Sequence, residues 1–180
     1  MVDIVKSFTD AWNIYVKNFF TILLSTLVVV FLGIITIGIL YVPLLVGLQM
    51  LFVKAKRGEP IALADIFVPM KKFLAVSFAT VWIAILCVIG FILLIVPGLC
   101  WSTWWMFALL FIVDKNLGIG AGMKASKDVV RKNNLWMHLL LLILSGIVAH
   151  LGTYVYGVGV LLTMPLGMGA IACAYADESK

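Results

Sequence analysis

Residues 19–53, 73–113 and 133–176 carry no Asp, Glu, Lys or Arg: uninterrupted runs of 35, 41 and 44 residues in a chain of 180. A helix rises 1.5 Å per residue, so a ~30 Å hydrocarbon core takes about 20 residues. Each run is about twice that length and reads as a helical hairpin with both ends on one side. With 64% apolar residues and a mean hydropathy of +1.20, a water-soluble globule cannot bury this much oil. Soluble enzymes, nucleic-acid-binding modules and disordered chains are thereby excluded as classes. The expected fold is all-α: an integral membrane helical bundle of about six transmembrane helices as three hairpins, with cytoplasmic amphipathic helices.

The charges set the orientation. All 13 Lys and Arg fall within residues 6–17, 54–72 and 115–132 or at Lys180, and the eight acids sit in or beside the same segments. Basic residues flanking apolar spans mark the cytoplasmic side. A single membrane domain, 1–180, then divides into a surface helix (1–18), hairpin 1 (19–55), a cytoplasmic loop (56–72), hairpin 2 (73–113), a second cytoplasmic loop or surface helix (114–132) and hairpin 3 (133–176). Both termini are expected in the cytoplasm, in a cell's inner or plasma membrane. Asp3 and Asp10 set the N-terminus apart from a cleaved signal peptide. Expected partners are membrane lipids, with other membrane proteins or a second copy as further candidates and no nucleic acid. Lys54, Lys56, Arg57, Lys71, Lys72, Lys124, Lys127, Arg131 and Lys132 are candidate contacts for anionic lipid, at about 1 kcal/mol for each basic residue near the surface.

The chain also echoes itself. Lys17, Phe19 and Pro43 recur 54 residues later as Lys71, Phe73 and Pro97, and Pro43-Leu44 with Gly47 matches Pro165-Leu166 with Gly169. The pattern reads as three units of surface helix plus hairpin. Val5, Phe8, Trp12, Tyr15 and Phe19 step by three and four, which predicts an amphipathic helix lying in the membrane interface. Residues 119–132 repeat this more weakly, and turns are expected at 33–38, 90–98 and 152–159.

No carboxylate, nucleophile–base pair or metal-ligand spacing falls inside the apolar runs, so no catalytic, cofactor-binding or metal residue is assigned. His138 and His150 read as headgroup-level histidines satisfied by water or backbone. Cys87 and Cys100 reach similar depth if their spans fold back near residue 94, which leaves a disulfide open to them; the alternative is two buried free thiols acting as small hydrophobes. Pro43 and Pro165 each lie about 17 Å from a charged edge, near mid-membrane. With Gly47 and Gly169 they are candidates for a hinge or cavity. Trp12, Trp101, Trp104, Trp105 and Trp136 are candidate interface anchors, the cluster at 101–105 at the far surface. The glycines at 118–122 lack the strand and Lys-Ser/Thr pair of a phosphate cradle.

A family resemblance rests on short motifs spread over nearly the whole chain. These are Arg57-Gly58-Glu59-Pro60, Asp65-Ile66-Phe67, Ile95-Val96-Pro97-Gly98, Asp114-Lys115-Asn116, Ala125-Ser126, Val129-Val130, Arg131-Lys132-Asn133 and Trp136. The chain resembles the bacterial and archaeal polytopic membrane-protein group related to the membrane domain fused to some glycerophosphodiester phosphodiesterases. The resemblance implies a helical membrane module of about six spans with a link to lipids or envelope stress. It brings no site residues, and the catalytic barrel of the phosphodiesterase is absent.

The function expected is that of a non-enzymatic integral membrane scaffold, accessory or lipid-interacting protein. The alternative is a passive or facilitated transporter of a neutral or hydrophobic small molecule. The two differ in what lies around Pro43 and Pro165: close packing in a scaffold, a polar chamber in a transporter.

Overall fold

The computed structural model of the chain describes residues 3–154 and 159–179, so the middle of the turn expected at 152–159 lies outside the described residues. The helices are α1 (Ile4–Lys17), α2 (Phe19–Ile35), α3 (Tyr41–Lys56), α4 (Phe73–Leu93), α5 (Ile95–Trp104), α6 (Ala108–Asp114), α7 (Ile119–Lys132), α8 (Leu135–Leu151) and α9 (Val160–Glu178). A 3-10 segment, Leu63–Lys72, runs into α4. No strand occurs among the described residues. Four helical stretches are long and apolar enough to cross a membrane: Leu63–Leu93, Ile95–Asp114, Leu135–Tyr154 and Val160–Glu178. A fifth is reached if α1 and α2, bent by 96° at Asn18, count as one. The six expected crossings go beyond this number, because Arg57 follows only 16 residues of α3, about 24 Å of helix.

The centre is a parallel pair, α3 beside α9. Tyr41 Oη lies 3.8 Å from Met164 Sδ, Gln49 Nε2 lies 3.4 Å from Met168 Sδ, and Lys56 meets Asp177 at 3.1 Å. Small residues let these helices approach. A Cβ on Gly169 would sit 2.5 Å from the Phe52 ring, and one on Gly167 would sit 2.3 Å from the Ser145 carbonyl of α8. α8 runs antiparallel to α9, with Thr163 Oγ1 donating to the Ala149 carbonyl at one end and His138 beside Glu178 at the other. α4 folds back on α5, where Gly90 and Gly98 meet.

The outward surface is oil. Phe20, Leu24, Leu27, Phe31 and Ile34 line one face of α2, and Leu140, Ile143, Ile147 and Leu151 one face of α8. Leu74, Phe78, Val81, Ile85 and Ile92 do the same on α4. These side chains are exposed (Phe20 by 84%), at helical spacing, which in water would form apolar patches far larger than a soluble monomer shows. In a bilayer the same stripes rest against acyl chains.

α1 has three faces rather than the two expected. Ser7, Ala11 and Tyr15 are buried, packing α1 onto α9; Val5, Trp12 and Val16 are exposed; Lys6, Asn13 and Lys17 occupy a separate polar face. The break to α2 at Asn18 (φ −118°, ψ 32°) has the same backbone as the break to α4 at Lys72 (φ −123°, ψ 30°), 54 positions on. That is the offset of the sequence echo.

Pro43 corrects a sequence expectation. It does not kink a helix at mid-span but sits in the first turn of α3, which begins at Tyr41. Backbone N–H groups there have no intrahelical acceptor in any case, so proline costs nothing. Pro165 does lie inside α9.

Candidate functional site

The charged ends of the helices converge. α3 ends in a Schellman motif: Gly58 N–H donates to the Ala55 carbonyl, Glu59 N–H to the Lys54 carbonyl, and Gly58 takes the φ of +80° this turn requires. Just before it, Lys54 pairs with Asp65 at 2.8 Å, and Lys56 bridges Asp10 of α1 and Asp177 of α9. Lys6 also reaches Asp177, at 3.3 Å. Arg57 grips Asp114 at the end of α6 through two bonds of 2.7 Å, and Tyr175 Oη donates to the same carboxylate at 2.7 Å. The hydrogen bonds that Arg57 donates to Asp114 raise its pKa above its ordinary value. Phe107, the N-cap of α6, and Phe111, one turn into it, both pack on the Tyr175 ring.

His138 is fully buried beside this cluster. One ring nitrogen lies 2.9 Å from the Asn134 carbonyl, the backbone partner expected for it, and the other lies 2.6 Å from Glu178. The second partner was not legible, because it comes from 40 residues away. α1, the ends of α3, α6 and α9 and the start of α8 thus form one ionic pole. Such pairs, partly desolvated and bidentate at Arg57, fix how helix ends register more than they add net stability.

This pole redistributes the basic residues assigned to anionic lipid. Lys54, Lys56 and Arg57 are neutralised by carboxylates, and Lys72 donates to the carbonyls of Ile112 and Leu117. Lys71, Lys124, Arg131 and Lys132 face outward. Lys127 lies over the Trp104 ring, 4.7 Å from its centre. That contact takes Trp104 away from the expected far-surface cluster: α7 packs on it, with Ser126 Oγ donating to the Trp104 carbonyl. Trp101 and Trp105 remain paired, their rings 6.0 Å apart, and Trp12 and Trp136 are exposed.

The hinge candidates separate into packing and groove. Gly47 abuts backbone, where a Cβ would sit 2.0 Å from the Ile66 carbonyl oxygen, and Gly169 abuts Phe52. Pro43 borders a mostly apolar cavity of about 290 Å³ shared with Ser77 and Thr80 of α4; Pro165 is not in its wall. Cys87, Cys100 and Cys173 are free thiols. Among the described residues, no three His, Cys, Asp or Glu side chains are placed to hold a metal ion. No family model matches the chain, and no curated protein or solved structure matches it either.

Proposed function

We propose that the chain is a non-enzymatic, multi-pass protein of a cell's inner or plasma membrane that acts as a scaffold or accessory module in contact with lipid. In this reading α2–α3, α4 with α5–α6, and α8–α9 cross as three hairpins. The short α2 and α3 complete the count to six, and both termini face the cytoplasm. The observation that carries it is the division of the surface. Ionic groups from five helices gather at one pole, while α2, α4 and α8 present apolar stripes below it. α1 suits the interface between the two, turned 96° from α2 with Trp12 exposed beside its polar face. The resemblance read from the sequence motifs, to the membrane domain fused to some glycerophosphodiester phosphodiesterases, would imply the same kind of module. Glycine contacts fill the space between α3, α8 and α9 where a transporter would keep a chamber.

The test is purification with native lipid, followed by mass spectrometry and a flux assay in reconstituted vesicles. Retained phospholipid with solute entry no faster than in empty vesicles is expected. Lipid-free protein that speeds the entry of neutral solutes would overturn the reading.

A further inference from the structure

Between the α1–α2 bend and the turn after α3 lies a half-open cavity of about 450 Å³ with mixed polar and apolar walls, a size common for small-molecule sites. One wall is α1, which brings Asn13 and Lys17, one turn apart, to the same edge, with Asn18 at the bend. The opposite wall is the Schellman turn, which holds Glu59 by its backbone. Lys17 and Glu59 stand out from the pole above. Neither makes an ion pair or a side-chain hydrogen bond among the described residues, although most of the surrounding Lys, Arg and Asp side chains do.

Resting on the lipid-interacting reading, we infer that this cavity binds the zwitterionic headgroup of an aminophospholipid. Lys17 and Asn13 take its phosphate, and Glu59 takes its primary ammonium. One cation facing one anion matches a zwitterion, whereas an anionic headgroup would meet an uncompensated carboxylate. A primary ammonium donates hydrogen bonds to a carboxylate, which strengthens the contact. A quaternary ammonium donates none and is instead held by aromatic faces; the apolar lining here is Ile14, Pro60 and Ile61. Acyl chains have their track at hand, since Phe20 and the exposed stripe of α2 begin just after Asn18.

The experiment offers the full chain an equimolar mixture of phosphatidylethanolamine, phosphatidylcholine and phosphatidylglycerol in detergent, then counts retained lipid by native mass spectrometry. Expected is retention of the ethanolamine lipid over the choline lipid by about five-fold, the worth of one extra charge-assisted bond near 1 kcal/mol. Glu59→Gln brings that ratio to about one, Lys17→Gln lowers retention of both, and Lys115→Gln changes neither. Water-soluble glycerophosphoethanolamine does not compete, because it lacks the chains that lie on α2. Preferential retention of phosphatidylglycerol, a ratio unchanged in Glu59→Gln, or full competition by the soluble headgroup would each overturn the site. Equal retention of all three lipids removes the site but leaves the lipid-interacting reading; no retained lipid removes both.

Discussion

Glycines that look interchangeable along the chain do different work in the fold. Gly47 touches a backbone carbonyl that cannot move aside, Gly169 touches a ring that can, and a Cβ on Gly146 meets open space. Gly47→Ala is therefore expected to cost about 3 kcal/mol or more, and Gly169→Ala about 1–2 kcal/mol. Gly146→Ala should be neutral or stabilising by up to about 1 kcal/mol. Thermal unfolding of the three variants in one detergent reads the order directly. Ile37 is the converse case. Gly38 N–H donates to the Gly33 carbonyl and Ile37 N–H to the Ile34 carbonyl, a Schellman turn whose left-handed position (φ 51°) is filled by a β-branched residue. Ile37→Gly should raise stability by about 1 kcal/mol, measured in the same assay. The glycines at 33–38 marked a turn in the sequence; which residue would bear the strain did not show until the hydrogen bonds were placed.

At the scale of elements, helices were legible and their partners were not. The 3.6-residue rhythm of residues 5–19 predicts a surface helix, and α1 forms there, but Tyr15 turns into the protein while Trp12 stays out. Periodicity separates apolar from polar faces without telling lipid from protein, since both are oil. Pro43 misled for a related reason: its distance from Lys54 gave a depth, but not where α3 begins. The pole was invisible because each pair joins remote segments, as Asp114 joins Arg57 of the turn after α3 to Tyr175 of α9. Asp114→Asn leaves that guanidinium without its carboxylate and is expected to destabilise the protein by about 1–3 kcal/mol, discounted for the partial exposure of Arg57. Tyr175→Phe removes one hydrogen bond and should cost about 1 kcal/mol. Denaturation of both variants and their double mutant would show coupling if the three groups act together.

For the molecule as a whole, the distribution of charge was the most informative pattern in the sequence. Three uncharged runs foretold an all-helical protein with an oily exterior, and the helices, their exposed stripes and the ionic pole agree with that division. The number of crossings was less legible, because α2 and α3, the two helices of the first apolar run, have only 17 and 16 residues. A helix this short, if it crosses, must tilt little or thin the bilayer locally. Single cysteines at Glu59, Lys124 and Tyr154, in a chain whose own three cysteines are replaced by serine, read the topology of intact cells through an impermeant thiol reagent. Protection at 59 and 124 with labelling at 154, and labelling of all three after the membrane is opened, is the expected result. Labelling of 59 but not 124, or of 124 but not 59, would put the charged segments on opposite sides and contradict a single ionic pole.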